Sequence, residues 1–117
     1  VGFIKNLPTH LIASFQSTLQ EIEFSDIIVI VQDVTTAHLE SQLKVVKSVL
    51  GEIKVLDKNQ IRVFTKIDLL IPSELDQMKK LYPESCFISS KTGEGIEEFK
   101  DKVIEVSHRI RKANPVF

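Results

Sequence analysis

A run of five consecutive β-branched residues, Ile27-Ile28-Val29-Ile30-Val31, is the feature that most restricts how this chain can fold. A strand without polar alternation is typical of a parallel sheet that is covered on both faces. Parallel neighbours need long crossover connections, which are usually helices. We therefore expect an α/β fold in which residues 27–31 form an interior strand.

The rest of the chain alternates in the way that such a fold requires. Further strands are predicted over residues 60–64 and 86–89, and helical apolar stripes over residues 7–23, 37–53, 73–82 and 96–114. Ser73 is the expected N-cap of the third helix, with Asp76 completing an approximate capping box. This order predicts three parallel strands joined by right-handed crossovers.

Composition limits the number of domains and the environment. A chain of 117 residues with 43% hydrophobic residues suffices for one domain, residues 1–117. The formal net charge of -1 provides no broad basic surface for nucleic acid or an anionic membrane. We find no apolar stretch of the roughly 20 residues that span a bilayer, so we expect a soluble protein without a membrane partner. Cys86 is the only cysteine, which favours a core role and a reducing, cytoplasmic location.

Three strands make a thin sheet, and nothing before residue 27 is an obvious strand to pair with it. An apolar strand left at an open edge is an aggregation hazard. We therefore expect the missing neighbours upstream of Val1, and expect the chain to begin inside a longer gene product.

Two polar loops follow predicted strands, where parallel sheets bind their ligands. The first is Thr65-Lys66-Ile67-Asp68 and the second is Ser89-Ser90-Lys91-Thr92-Gly93-Glu94-Gly95. Taken alone, the first loop is more simply a solvated turn, because so short a motif is common. The presence of the second loop favours a shared ligand site.

These loops resemble motifs of the HflX-type GTPases, which have a TRAFAC-class G domain. Residues 65–68 resemble the Asn-Lys-x-Asp motif, and residues 89–95 resemble the Ser-Ala-Lys-Thr-Gly-x-Gly loop. The opening Val1-Gly2-Phe3-Ile4 resembles the segment that follows the family's Asp-Thr-Val-Gly motif. The resemblance covers essentially the whole chain. It implies a three-layer P-loop NTPase-like parallel sheet that is incomplete, with its last three strands and flanking helices in the C-terminal half of the G domain.

The resemblance implies that GTP or GDP is the ligand, and the residue chemistry agrees. An ionised Asp68 is an acceptor fork that matches the adjacent N1–H and N2 amino donors of guanine. The stem of Lys66 can lie along the purine face while its ammonium stays hydrated. Backbone amides around Ser90 and Lys91 are expected to meet the guanine O6 atom.

Other site residues are implied by the resemblance alone, and two of them differ from the family motif. The implied cofactor-binding set is Gly2, Thr65, Lys66, Asp68, Ser89, Ser90 and Lys91. In it, the amide of Gly2 would sense the γ-phosphate. Thr65 replaces the family's asparagine, and its short hydroxyl is expected to lower affinity by several-fold, a loss of about 1 kcal/mol. Ser90 replaces alanine, a smaller change because the expected contact uses the backbone.

Catalysis is not expected from this chain. It contains no Gly-x-x-x-x-Gly-Lys-Ser/Thr phosphate loop, so the phosphate-binding half of the G domain and the Mg²⁺ ligands must lie elsewhere. Phe3 stands where many small GTPases carry a water-orienting glutamine. We expect no catalytic residue and no metal ligand here, and we predict that the chain alone is inactive. The resemblance also implies a ribosomal partner, the large subunit.

Two other functions stay open at this point. One is a flavodoxin-like α/β module that binds a protein through its exposed helices, with an incidental Lys-Asp pair. The other is a degenerate, non-hydrolysing G domain that serves as a scaffold. Asp33 also stays open, since it follows a strand and suits either a ligand site or a simple turn. His10, His38 and His108 have no partner at metal-ligand spacing.

Overall fold

The computed structural model describes residue 22 and residues 24–113. The predicted helix over residues 7–23 therefore lies almost wholly outside the described residues, as does Gly2. Along the described chain the elements are β1 (Ile27–Asp33), α1 (Leu39–Glu52), β2 (Asn59–Thr65), a 3₁₀ turn (Ile67–Leu69), α2 (Pro72–Leu81), β3 (Cys86–Phe87) and α3 (Ile96–Ala113).

The three strands form one parallel sheet in the order β1-β2-β3. β1 pairs with β2 along its whole length, from Ile27 opposite Asn59 to Asp33 opposite Thr65. The predicted α/β class and the three parallel strands are thus confirmed, and they fit a partial P-loop NTPase-like domain.

The last strand is shorter than the predicted 86–89 segment. Ile88 still donates its amide to Phe64 O at 2.9 Å, but the amide of Ser89 turns away and donates to Glu94 O at 2.9 Å. The strand therefore ends where the following loop closes on its own backbone.

Helix α3 packs against one face of the sheet. Its Val106 is buried with Ile61 and Val63 of β2, and partly buried apolar residues surround that cluster: Ile27, Cys86, Ile88, Phe99, Val103 and Ile110. The contribution of Cys86 to this cluster agrees with the core role predicted for it.

The opposite face of β2 carries Phe64, which is fully buried. Its ring centroid lies 5.1 Å from that of Tyr82 and 5.3 Å from that of Phe87. The Arg62 guanidinium lies 4.6 Å from the ring centroids of Phe64 and Tyr82, and its Nε donates to Gln32 Oε1 at 2.7 Å. Three aromatic rings therefore join β2, β3 and the end of α2, and the Arg62 guanidinium covers two of them while Gln32 holds it in place.

The prediction that β1 is covered on both faces is wrong for the structure described. Ile28 and Ile30 are buried, but Val29 is 39% exposed and Val31 is 61% exposed on the alternate face. The α3 cluster reaches β1 only at Ile27. The apolar run thus has one exposed face in the described part of the chain.

The predicted N-cap at Ser73 is also wrong. Helix α2 begins at Pro72, whose missing amide hydrogen and fixed φ suit a first helical position. The amide of the preceding Ile71 donates to Glu74 Oε1 at 3.1 Å. Glu74 therefore has the capping role that the sequence assigned to Asp76.

Helix α1 lies within residues 38–58, which form one compact unit with the described residues just before β1. Within this unit Val46, Leu50 and Val55 are buried, and Lys58 Nζ donates to Ser25 O at 2.8 Å. The sheet, α2 and α3 make up the second unit, and every candidate ligand-binding residue within the described range belongs to it.

Candidate functional site

The candidate site lies at the carboxyl edge of the sheet, where the segments after all three strands meet. Asp33 ends β1, Thr65 ends β2 and Ser89 follows β3. Because the strands are parallel, the loops that follow them emerge on the same edge. The sequence predicted the second and third of these segments as the site.

Ser89 joins the two predicted loops. Its side chain is buried, and its Oγ donates to Asp68 Oδ1 at 2.8 Å. The same Oγ accepts from the amide of Thr92 at 3.1 Å, while Ser89 O accepts from the amide of Gly93 at 2.8 Å. Every polar atom of this serine is therefore used in holding the loop and the aspartate together.

Asp68 keeps acceptor capacity after this contact. An ionised carboxylate has about four lone-pair positions, and no described residue donates to its Oδ2 atom. A buried serine thus fixes the orientation of a half-buried carboxylate whose outer oxygen is available to a ligand with donor groups.

Lys66 points toward the end of β1. Its backbone is left-handed, with φ 63° and ψ 34°, a conformation that costs a residue other than glycine about 1–2 kcal/mol. Its Nζ lies 3.0 Å from Asp33 Oδ2. The strained backbone conformation and the ion pair together direct the lysine toward the end of the neighbouring strand β1.

Asp33 is the site residue that the sequence left undecided. Its Oδ1 accepts from the Thr35 amide at 2.9 Å and from Thr35 Oγ1 at 2.6 Å. These two bonds and then Lys66 lower the pKa of Asp33 from 3.8 to about 2, so the carboxylate is ionised at any physiological pH. The sequence indicated its place at a strand end, and the structure adds its contact with Lys66, which no motif signals.

Hydrogen bonds from the segments after β1 and β3 hold residues 65–68 from both sides. On the β1 side, Val34 N donates to Thr65 O at 3.1 Å. On the β3 side, Ile67 N donates to Ile88 O at 3.3 Å, and Ser89 holds Asp68. The backbone of this loop is therefore tied to both neighbouring segments, which fixes the points from which Lys66 and Asp68 project.

The side chains of Thr65, Ser90 and Lys91 take no part in the contact between Ser89 and Asp68. The Thr65 hydroxyl lies 3.4 Å from Gln32 O, a long contact within the sheet. Ser90 and Lys91 are exposed beside Asp68's partner, with their side chains toward solvent.

Two glycines shape the second loop, and both have a positive φ. A Cβ on Gly95 would lie 1.9 Å from Phe87 O, whereas a Cβ on Gly93 would meet nothing within 4 Å. Gly95 thus permits the start of α3 to approach the edge strand β3 closely.

Three further properties of the described residues concern metal binding, cysteine reactivity and membrane crossing. No group of three or more His, Cys, Asp or Glu residues is placed to hold a metal ion among the described residues. Burial raises the pKa of Cys86, which opposes formation of a reactive thiolate. Within the same residues, none of the helices is both long and apolar enough to cross a membrane.

A parallel α/β sheet with a Lys-x-Asp loop joined to a serine-and-glycine loop at its carboxyl edge is the arrangement found in a G domain, a class of P-loop NTPase-like fold. Comparison with known proteins identifies the family more narrowly. No protein-family model matches the chain.

Curated relatives, however, match most of it. The chain is 38% identical over 107 residues to GTPase HflX of Treponema denticola, which covers 91% of this chain and 27% of that protein. It is 41% identical to GTPase HflX of Lacrimispora saccharolytica, over 84% of this chain and 23% of that protein. It is 32% identical to GTPase HflX of Escherichia coli, over 90% of this chain and 25% of that protein. The chain belongs to the HflX-type GTPase family and spans about a quarter of the length of these relatives.

Proposed function

We propose that this chain is the guanine-recognising part of the G domain of an HflX-like GTPase. The hydrogen bond from Ser89 Oγ to Asp68 Oδ1, 2.8 Å long, is the observation that carries the proposal. It joins the two loops that the family resemblance identifies as base-binding, and it orients the carboxylate that would read the base.

The chemistry of recognition follows from the side chains. Asp68 accepts from N1–H and the N2 amino group of guanine, and adenine, which presents a different donor pattern there, pairs poorly with it. The apolar stem of Lys66 supports one face of the purine ring. Amides near Ser90 and Lys91 donate to O6.

The phosphates are assigned to the other half of the domain. The chain carries no phosphate loop, and Gly2 is the residue that would place an amide near the γ-phosphate. Mg²⁺, which assists phosphoryl transfer in such enzymes, would be held by residues outside this chain. The 117 residues alone are therefore inactive as a GTPase, and they have the missing N-terminal half of the domain as a partner.

The wider setting of the protein follows from the family. We propose that the complete protein hydrolyses GTP, acts with the large ribosomal subunit and resides in the cytoplasm. A scaffold that does not hydrolyse GTP would share the base site, and a measured hydrolysis rate separates the two.

Asp68→Asn in the full-length protein tests the base site. Xanthine has a carbonyl acceptor where guanine has the amino donor, so an amide at position 68 should pair better with it. We expect GDP to bind at least about tenfold more weakly, and XDP more tightly, than in the wild type, because a hydrogen bond to a charged group contributes about 1.5–3 kcal/mol. Competition of both nucleotides against a fluorescent GDP analogue measures this shift.

Asp101→Asn is the matched control, because Asp101 is an exposed aspartate on α3 with no assigned role. It removes the same charge and should leave both affinities unchanged. A GDP affinity unaffected by Asp68→Asn would refute the base site.

A further inference from the structure

Asp33 lies beside the proposed base site but has no part in reading guanine. Its two carboxylate oxygens have different partners. Oδ1 accepts both bonds from Thr35, at 2.9 and 2.6 Å, and Oδ2 lies 3.0 Å from Lys66 Nζ. The bonds from Thr35 to Oδ1 fix the orientation of the carboxylate. Oδ2 is therefore held facing Lys66.

Lys66 needs such a partner if its direction is to be fixed. Its side chain is 60% exposed, and a lysine is a point charge on a flexible four-carbon stem. The left-handed backbone sets only where the stem begins. The backbone hydrogen bond from Val34 N to Thr65 O holds the segments after β1 and β2 at a constant separation. Asp33 can therefore fix the position of the ammonium at the end of the lysine stem.

We propose that Asp33 is a positioning residue that holds the Lys66 ammonium over the end of β1, so that the lysine stem is already extended as a stacking surface for the purine ring. This inference rests on the proposed base site and deepens it. Asp33 does not contact the nucleotide. Because Asp33 already restricts the Lys66 side chain, less conformational entropy is lost when the nucleotide binds, and the affinity is higher.

A double-mutant cycle tests whether Asp33 acts through the lysine. The full-length protein is compared with Asp33→Asn, Lys66→Met and the double variant, using a methylanthraniloyl derivative of GDP as the fluorescent probe. An asparagine keeps an Oδ1 acceptor for Thr35 but loses the charge, and a methionine keeps an apolar stem without the ammonium.

We expect Asp33→Asn to raise the dissociation constant about threefold, the size typical of a partly exposed ion pair. In the Lys66→Met background the same change should have no measurable effect. The threefold difference should also shrink as the KCl concentration rises, because salt screens the pair. A general loosening of the β1 loop would produce neither result.

Two outcomes overturn the inference: an unchanged affinity in Asp33→Asn, or an equal loss in both backgrounds. If Asp33→Asn does not fold, Asp33→Ser replaces it in the same cycle, since a serine hydroxyl can also cap the turn. Asp68→Asn is measured alongside. If it shifts preference to XDP while the cycle is additive, the base site stands and only the role of Asp33 fails.

Discussion

At the residue scale, Ser89 has the largest structural role in the site, although it was predicted only as one member of a loop. It is buried, donates to Asp68 and accepts from Thr92. We expect Ser89→Ala to raise the GDP dissociation constant of the full-length protein about 3- to 10-fold, because the lost bond to a carboxylate contributes about 1 kcal/mol or more. Fluorescence titration measures this change.

Ser90→Ala is the natural control for that experiment. Ser90 is exposed next to Ser89, and alanine is the residue that the family motif has at this position. Its expected contact uses only the backbone, so the substitution should change affinity by less than about twofold. Equal losses in the two variants would mean that Ser89 has no special role in orienting Asp68.

Single residues also show why part of the site was predictable. Lys66, Asp68 and Ser89 follow strands, and parallel strands deliver such residues to one edge, so their proximity followed from pattern alone. The direction of a side chain does not follow from pattern. Lys66 turns to Asp33 because of a left-handed backbone and a contact 33 positions away in sequence, and neither is visible in a motif.

At the element scale, the centres of the two longer strands were predictable from composition, whereas the start of α2 was not. A β-branched run identifies a strand by composition, and β1 and β2 each include the predicted run. The start of α2 depended on a competition between Pro72 and Ser73, which is decided by local backbone geometry. Whether both faces of β1 are buried depends on which other elements pack against it, and the sequence of the strand does not show that.

The loop between β3 and α3 depends on an unusually close approach at Gly95. A Cβ there would lie 1.9 Å from Phe87 O, a backbone oxygen of β3, so the backbone of the loop or of the strand would have to shift. We expect Gly95→Ala to destabilise the loop by about 3 kcal/mol, from left-handed strain together with overpacking. Faster amide hydrogen exchange at residues 89–95 in the full-length protein would report this.

Gly93→Ala separates the two contributions to that effect. Gly93 has a similar positive φ of 83° but open space where its Cβ would be. The substitution should cost only the strain, about 1–2 kcal/mol. If both variants accelerate exchange equally, the contact between Gly95 and the edge strand is not what constrains the loop.

At the scale of the whole molecule, the exposed face of β1 is the feature that most affects behaviour in solution. Val29 and Val31 project from an edge strand of the described sheet, and they are 39% and 61% exposed. Exposed apolar edge strands pair with other chains unless they are covered.

The 117-residue chain should therefore self-associate when it is isolated. The double variant Val29→Thr/Val31→Thr keeps β propensity but removes apolar surface, so it should shift the chain toward monomer. Sedimentation velocity over a range of chain concentrations measures the change. Ile104→Thr, which alters an apolar residue on α3 that is 52% exposed, should leave association unchanged. A wild-type chain that stays monomeric and unfolds in one sharp transition would show that this face needs no partner, because the exposed valines would then be tolerated as ordinary surface.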